Sequence, residues 1–188
     1  TNFYSEVSTN KTLYEAYKNL RNTSLNEQQR HIVKESIESF ELSGVGLEGE
    51  QSDRFKAIKE RLSLLSNQFS KNALKATNEW KKTLTEAELE GYGENELAKV
   101  KTKDGYEISL QVPVYMDVMT YAKNQALREE VYKAYISRAS EVGITPTEFD
   151  NKAIMDEILS LRQEMATILG FSNYADLSIE GKMVESTE

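Results

Sequence analysis

Phe55, Ile58, Leu62, Leu65 and Phe69 recur at intervals of three, four, three and four, and only an α-helix gathers such a series onto one face. A chain with that stripe has to bury it. Its 188 residues are enough to withdraw roughly 70% of the unfolded surface from water, so a core large enough to do so is available. The seam covers about two heptads, short of the three or four that sustain a free-standing coiled coil. Ordinary core packing is therefore expected, on a helix running to about Trp80.

The helical period governs most of the remaining chain. Leu13, Tyr14, Tyr17 and Leu20 share a face. Ser24 and Glu27 have capping-box spacing ahead of a second helix carrying Ile32, Val33, Ile37 and Phe40, which Gly44 and Gly46 end. Thr85 and Glu88 repeat the box on a short helix stopped by Gly91. After Pro113, "VYMDVMTYA" reads as a short helix, and Asn124 caps a longer one with Leu127, Val131, Ala134 and Tyr135. "GITPTEFDN" reads as a loop. Asp150 or Asn151 then caps the last long helix, with Ile154, Ile158, Leu161, Met165 and Ile168 on its apolar face. Gly170 falls where a left-handed C-terminal cap belongs, Phe171 folds back on it, and Ser172 caps a short continuation.

One stretch departs from this period. Val100 and Thr102, then Tyr106, Ile108 and Leu110, alternate around Asp104-Gly105, which predicts a β-hairpin near residues 98–112 packed on the helices. The expected fold is mainly α, a helical bundle-like lobe with one small β-hairpin. No internal repeat or flexible linker divides it, so residues 1–188 read as a single helical region with a sub-boundary near 85–113.

Composition narrows the partners. Acidic residues outnumber basic ones 31 to 23, and the net charge of −8 repels phosphate backbones and anionic lipid surfaces. Nucleic acid and membrane are not expected as partners. No apolar run approaches the roughly 18 residues of a spanning helix, so a soluble, cytoplasmic protein is expected. With no cysteine, disulfides, thiolate zinc sites and cysteine nucleophiles are excluded.

Candidate chemistry is sparse. The one histidine, His31, sits in "QQRHIVKE" on the second helix, whereas a catalytic zinc takes three protein ligands and H-E-x-x-H needs two histidines. No G-x-S-x-G elbow is present, and "GVGLEG" has suggestive glycines but neither a preceding strand nor a lysine. The acid pairs Glu148 with Asp150 and Asp156 with Glu157 are expected by chance in so acidic a chain. Catalytic residues: none; metal ligands: none; substrate-binding residues are not identifiable. By these residues alone, a self-contained helical module that binds a protein or peptide in a groove is one possible function.

Four stretches carry a resemblance: "FELSGVGL" (40–47), "LSLLSNQFSKNALKATNEW" (62–80), "GYEISLQVPVYMDVMTYAKNQALREEVYKAYISRAS" (105–140) and "DNKAIMDEILSLRQEMATILGFSNYADLSIEGKM" (150–183). In this order they resemble the region upstream of the active site in the thimet oligopeptidase and oligopeptidase A family of zinc metallopeptidases, oligopeptidase A most of all. Lys75 stands where the family commonly has an acid, and Ile179-Glu180-Gly181 where Leu-Ala-Thr is usual. The resemblance implies a two-lobed, neurolysin-like helical peptidase whose deep channel admits short peptides. Its zinc would polarise the scissile carbonyl and activate water, with the motif glutamate as general base. The H-E-x-x-H helix and the third, glutamate ligand would lie beyond Glu188. The chain would then be a non-catalytic portion, a scaffold and channel wall, inactive and without zinc in isolation. Leu177, Ile179, Met183 and Val184 would be apolar groups parted from their neighbours, and the isolated chain could self-associate.

Overall fold

A computed structural model of the chain describes residues 2–144, 146–184 and 186–187. The chain is mainly α-helical with a small antiparallel sheet, and its contacts divide it into two compact units, Thr1–Ser63 with Ile158–Glu188, and Leu64–Glu157.

The first unit opens with α1 (Asn2–Ser8) and α2 (Lys11–Leu20). Asn10 caps α2 by accepting from the Leu13 N–H at 2.9 Å. Tyr14 and Tyr17 of α2 set their rings 5.9 and 5.7 Å from Phe40 of α3 (Glu27–Leu42). The capping box of α3 is formed by Asn26 and Gln29, two residues after the expected Ser24 and Glu27: Asn26 Oδ1 accepts from the Gln29 N–H at 2.9 Å and Gln29 Oε1 from the Asn26 N–H at 3.0 Å. Val33, Ile37 and Phe40 are buried as expected, while Ile32, about 100° off that face, is exposed.

Both glycine stops form as read. Gly44 (φ +85°) ends α3, with Val45 N–H donating to Phe40 O and Gly44 N–H to Glu41 O. Gly170 (φ +87°) ends α8 (Lys152–Ile168) in the same way, with Phe171 N–H donating to Ala166 O and Gly170 N–H to Thr167 O. The paired bonds are those of the Schellman motif, which needs a left-handed residue at this position. At Gly44 space adds a second requirement, because a Cβ would lie 2.8 Å from the Phe55 ring. Asn173, rather than Ser172, caps α9 (Tyr174–Ile179), its Oδ1 accepting from the Asp176 N–H at 2.9 Å.

The stripe lies on α4 (Gly49–Glu79). Phe55, Ile58 and Leu65 are buried and Leu62 half-buried, but Phe69 is exposed; Asn72 and Ala76 continue the buried seam. At about 100° per residue Phe69 still lies on the angular face of Phe55, Leu65 and Ala76, so its exposure reflects what packs against that turn of α4 and not a drift of the stripe.

The second unit is built on the sheet. β2 (Lys101–Thr102) and β3 (Gly105–Ser109) form the expected hairpin, turning at Lys103-Asp104, so Gly105 (φ +136°) already pairs with Thr102. Val100 closes the preceding helix α5 (Glu94–Val100) instead of opening the strand. A third strand, β1 (Lys81–Leu84), pairs antiparallel with β3 to give the order β1-β3-β2. Thr85 and Glu88 meet as read: the Glu88 carboxylate accepts from both the Thr85 N–H and hydroxyl at 2.8 Å. Ile108 and Leu110, two apart on one face, are fully buried with Leu89, Val118 of α6 (Val112–Tyr121) and Val131 of α7 (Gln125–Ile136). Asn124 caps α7 as expected.

A polar clamp closes the unit. Asn151, buried at the start of α8, accepts from the Asn72 Nδ2 at 2.9 Å and donates through Nδ2 to Phe69 O at 3.1 Å. Its N–H donates to Ala139 O, while the Asp150 carboxylate does the capping, accepting from the Lys152 N–H at 2.9 Å. The segment read as a loop holds a 3-10 turn, Thr147–Phe149, that buries Phe149 against Ala76 and Ala139; Thr145 lies outside the described residues.

Asn151→Ala strands the Asn72 amide and is expected to cost about 1–3 kcal/mol in urea melts. Ile58→Ala should cost about 2–5 kcal/mol in the same measurement, whereas Ile32→Ala stays within about 0.5 kcal/mol.

Candidate functional site

Two places gather polar chemistry, one in each unit. In the first unit a cleft of about 350 Å³ opens beside the glycine turn between α3 and α4, among Thr9, Lys11, Ser43, Ser52, Phe55 and Lys59. This is where the structure places "GVGLEG", and a helix rather than a strand leads into it. Its cations are answered locally. Lys11 Nζ lies 2.9 Å from Glu48 Oε1, Lys56 Nζ 4.0 Å from Asp53, and Lys59 Nζ 5.6 Å above the Phe55 ring. The Lys11 hydrogen bond, then its charge, holds the Glu48 carboxyl below its ordinary range. Nearby, Arg54 binds Glu164 through two hydrogen bonds of 2.6 Å, raising the guanidinium and lowering the carboxyl; this fork ties α4 to the last turns of α8.

In the second unit, Lys99 of α5 reaches Asp117 of α6 at 2.9 Å and Glu96 at 3.9 Å. The Tyr92 hydroxyl is buried nearby and, among the described residues, has no hydrogen-bond partner. Burial first, then the charges of Asp117 and Glu96, push this phenol up to about 12. Held protonated at neutral pH, it cannot serve as a base there. The cluster locks α5 to α6. Glu96 and Lys99 could have been paired from their spacing, but Asp117 is a non-local partner with no sequence signal.

The other residues singled out from sequence stay apart. His31 is exposed on α3, its Nε2 4.0 Å from Glu35 Oε1. Asp150 is spent on capping α8, and Tyr115 and Tyr135 stack on each other at 3.9 Å. Among the described residues, no three His, Asp or Glu side chains are placed to hold a metal ion, and no helix is long and apolar enough to cross a membrane.

Comparison with known proteins supplies what this geometry does not. Residues 118–188 match the family model "Peptidase family M3", and residues 1–52 match "Neurolysin/Thimet oligopeptidase, N-terminal domain". Oligopeptidase A of Salmonella typhimurium and that of Escherichia coli are each 45% identical over 97% of this chain. The chain belongs to peptidase family M3. Oligopeptidase A of Haemophilus influenzae is 44% identical over the same share. This M3 chain spans 28% of the length of each of these three relatives. Its N-terminal match lies in the first unit, and the Peptidase family M3 match runs from the C-terminal end of α6 through α7, α8 and α9.

The Tyr92 phenol sets a pH response. An unfolded tyrosine ionises near pH 10 and the folded one near 12, so between those values the unfolded chain loses its proton first and stability falls as pH rises. Tyr92→Phe should remove this part of the alkaline loss in denaturant melts compared at pH 8 and pH 11, and should leave stability at pH 8 unchanged or raised, since it deletes an unpaired buried hydroxyl.

Proposed function

We propose that this chain is the non-catalytic scaffold of an oligopeptidase A-like zinc metalloendopeptidase, forming part of the wall of a channel that admits short peptides. One observation carries the reading: 45% identity to oligopeptidase A holds along 97% of this chain, which spans 28% of that enzyme. Residues 1–188 then act together as one structural portion, and the parent enzyme works on peptides in the cytoplasm.

The residues present do not fit a catalytic zinc. Such an ion takes three protein ligands, and the single imidazole, His31, is exposed with one carboxylate at 4.0 Å. In this reading the zinc, which supplies Lewis-acid activation of water and carbonyl when bound, is held by the remainder of the parent chain. What this portion contributes is shape and charge. Its buried cores hold their helices rigidly, and its net charge of −8 disfavours polyanions without obstructing a peptide.

The test is direct. The purified 188-residue chain should leave a quenched fluorescent peptide intact and carry no stoichiometric zinc by metal analysis. Chelator-sensitive cleavage by this chain alone overturns the proposal.

A further inference from the structure

The second unit carries apolar side chains that its own core does not use. On α6, Val112 and Met116 are 56% and 52% exposed; on α7, Tyr132 and Ile136 are 48% and 59% exposed. Each pair is spaced i, i+4 and so makes a ridge along its helix. Residues 122–124 join the two helices as a hairpin, and the Tyr115–Tyr135 stack at 3.9 Å sets their facing sides. At 100° per residue, Val112 and Met116 fall on the solvent side of Tyr115, and Tyr132 and Ile136 on the solvent side of Tyr135. Val112 thus stands by Ile136 and Met116 by Tyr132, an apolar strip floored by the tyrosine pair. Arg138, 4.0 Å from the Tyr135 ring centroid, and the Glu129–Lys133 ion pair give it a charged margin.

The surface area supports an unmet interface. The chain exposes 12789 Å². Surface–mass scaling gives about 11,000 Å² even when the two units are counted as wholly separate compact bodies, and the excess of roughly 1,800 Å² is about twice the ~800 Å² that one partner gives up in a standard protein interface. The strip is one apolar candidate for part of it.

We infer that this strip is the seat of an apolar helix face from the remainder of a longer M3 peptidase chain, an inference that rests on the scaffold reading above. The 28% share leaves most of such a chain to cover the strip. A second copy is the poorer occupant, because each copy brings a net charge of −8 to the encounter.

The test places Met116→Glu with Ile136→Glu in this chain and in the full-length peptidase that contains it. In the 188-residue chain the urea midpoint should not move, because both side chains face solvent. In the full-length enzyme the thermal midpoint should fall by several degrees, and peptide hydrolysis should fall with it on warming. Met116→Leu should keep the wild-type midpoint, and Met116→Ala should give a smaller drop if the double variant does not accumulate. An unchanged full-length midpoint overturns the inference, and so does an equal loss in the short chain, which would place these residues in the unit's own core. Loss of a dimer without a thermal shift assigns the strip to a second copy and also overturns it. In all three cases the scaffold reading survives. A reading frame that encodes no further peptidase sequence, or chelator-sensitive cleavage by the short chain, removes that reading and this inference together.

Discussion

A buried carboxamide has two donors and two acceptor lone pairs to satisfy, and water cannot reach Asn151 to do it. Its oxygen takes the Asn72 amide and its nitrogen goes to the Phe69 carbonyl, so two helices far apart in sequence are held in one arrangement. Apolar contacts alone tolerate sliding; a pair of directional bonds does not. The neighbouring features follow from that constraint. The Ala139 carbonyl is placed to accept from the Asn151 N–H, and Asp150 takes over the capping that Asn151 would otherwise supply. With Asn72 committed to the clamp, the apolar duty on that part of α4 passes to Ala76, packed with Ala139 and Phe149.

What could be read from sequence was local. The ends of α3 and α8 were legible because a glycine with its flanking residues decides a Schellman turn by itself, and Thr85 with Glu88 formed the box their spacing announced. Where several cap-forming residues stand together, spacing does not choose among them, so Asn26 displaced Ser24 and Asn173 displaced Ser172. β1 was illegible because "KKTL" has one buried position and owes its strand conformation to β3, more than twenty residues away. The Lys99–Asp117 bridge and the Asn72–Asn151 clamp escaped for the same reason, since each joins residues whose closeness only the fold creates.

The function was legible in a different way. No local pattern in this chain points to hydrolysis, and in its two polar clusters Lys11 pairs with Glu48, Lys99 pairs with Asp117, and the Tyr92 phenol is held protonated. The family likeness runs through long, ordered stretches such as 105–140 and 150–183 and not through a short catalytic motif. On the scaffold reading proposed above, such residues mark a family without taking part in its chemistry.

The order β1-β3-β2 leaves β1 on an edge of the sheet. Unpaired peptide groups on such an edge can recruit another extended chain, a route to aggregation that folded proteins block with charge. β1 begins with two adjacent lysines, anchored by Glu107 at 2.9 Å and Glu130 at 2.6 Å. A further strand paired there would lie beside both lysine side chains, whose charge disfavours an apolar newcomer. The two lysines thus guard this margin of the sheet, and apolar residues in their place would strip it of that charge.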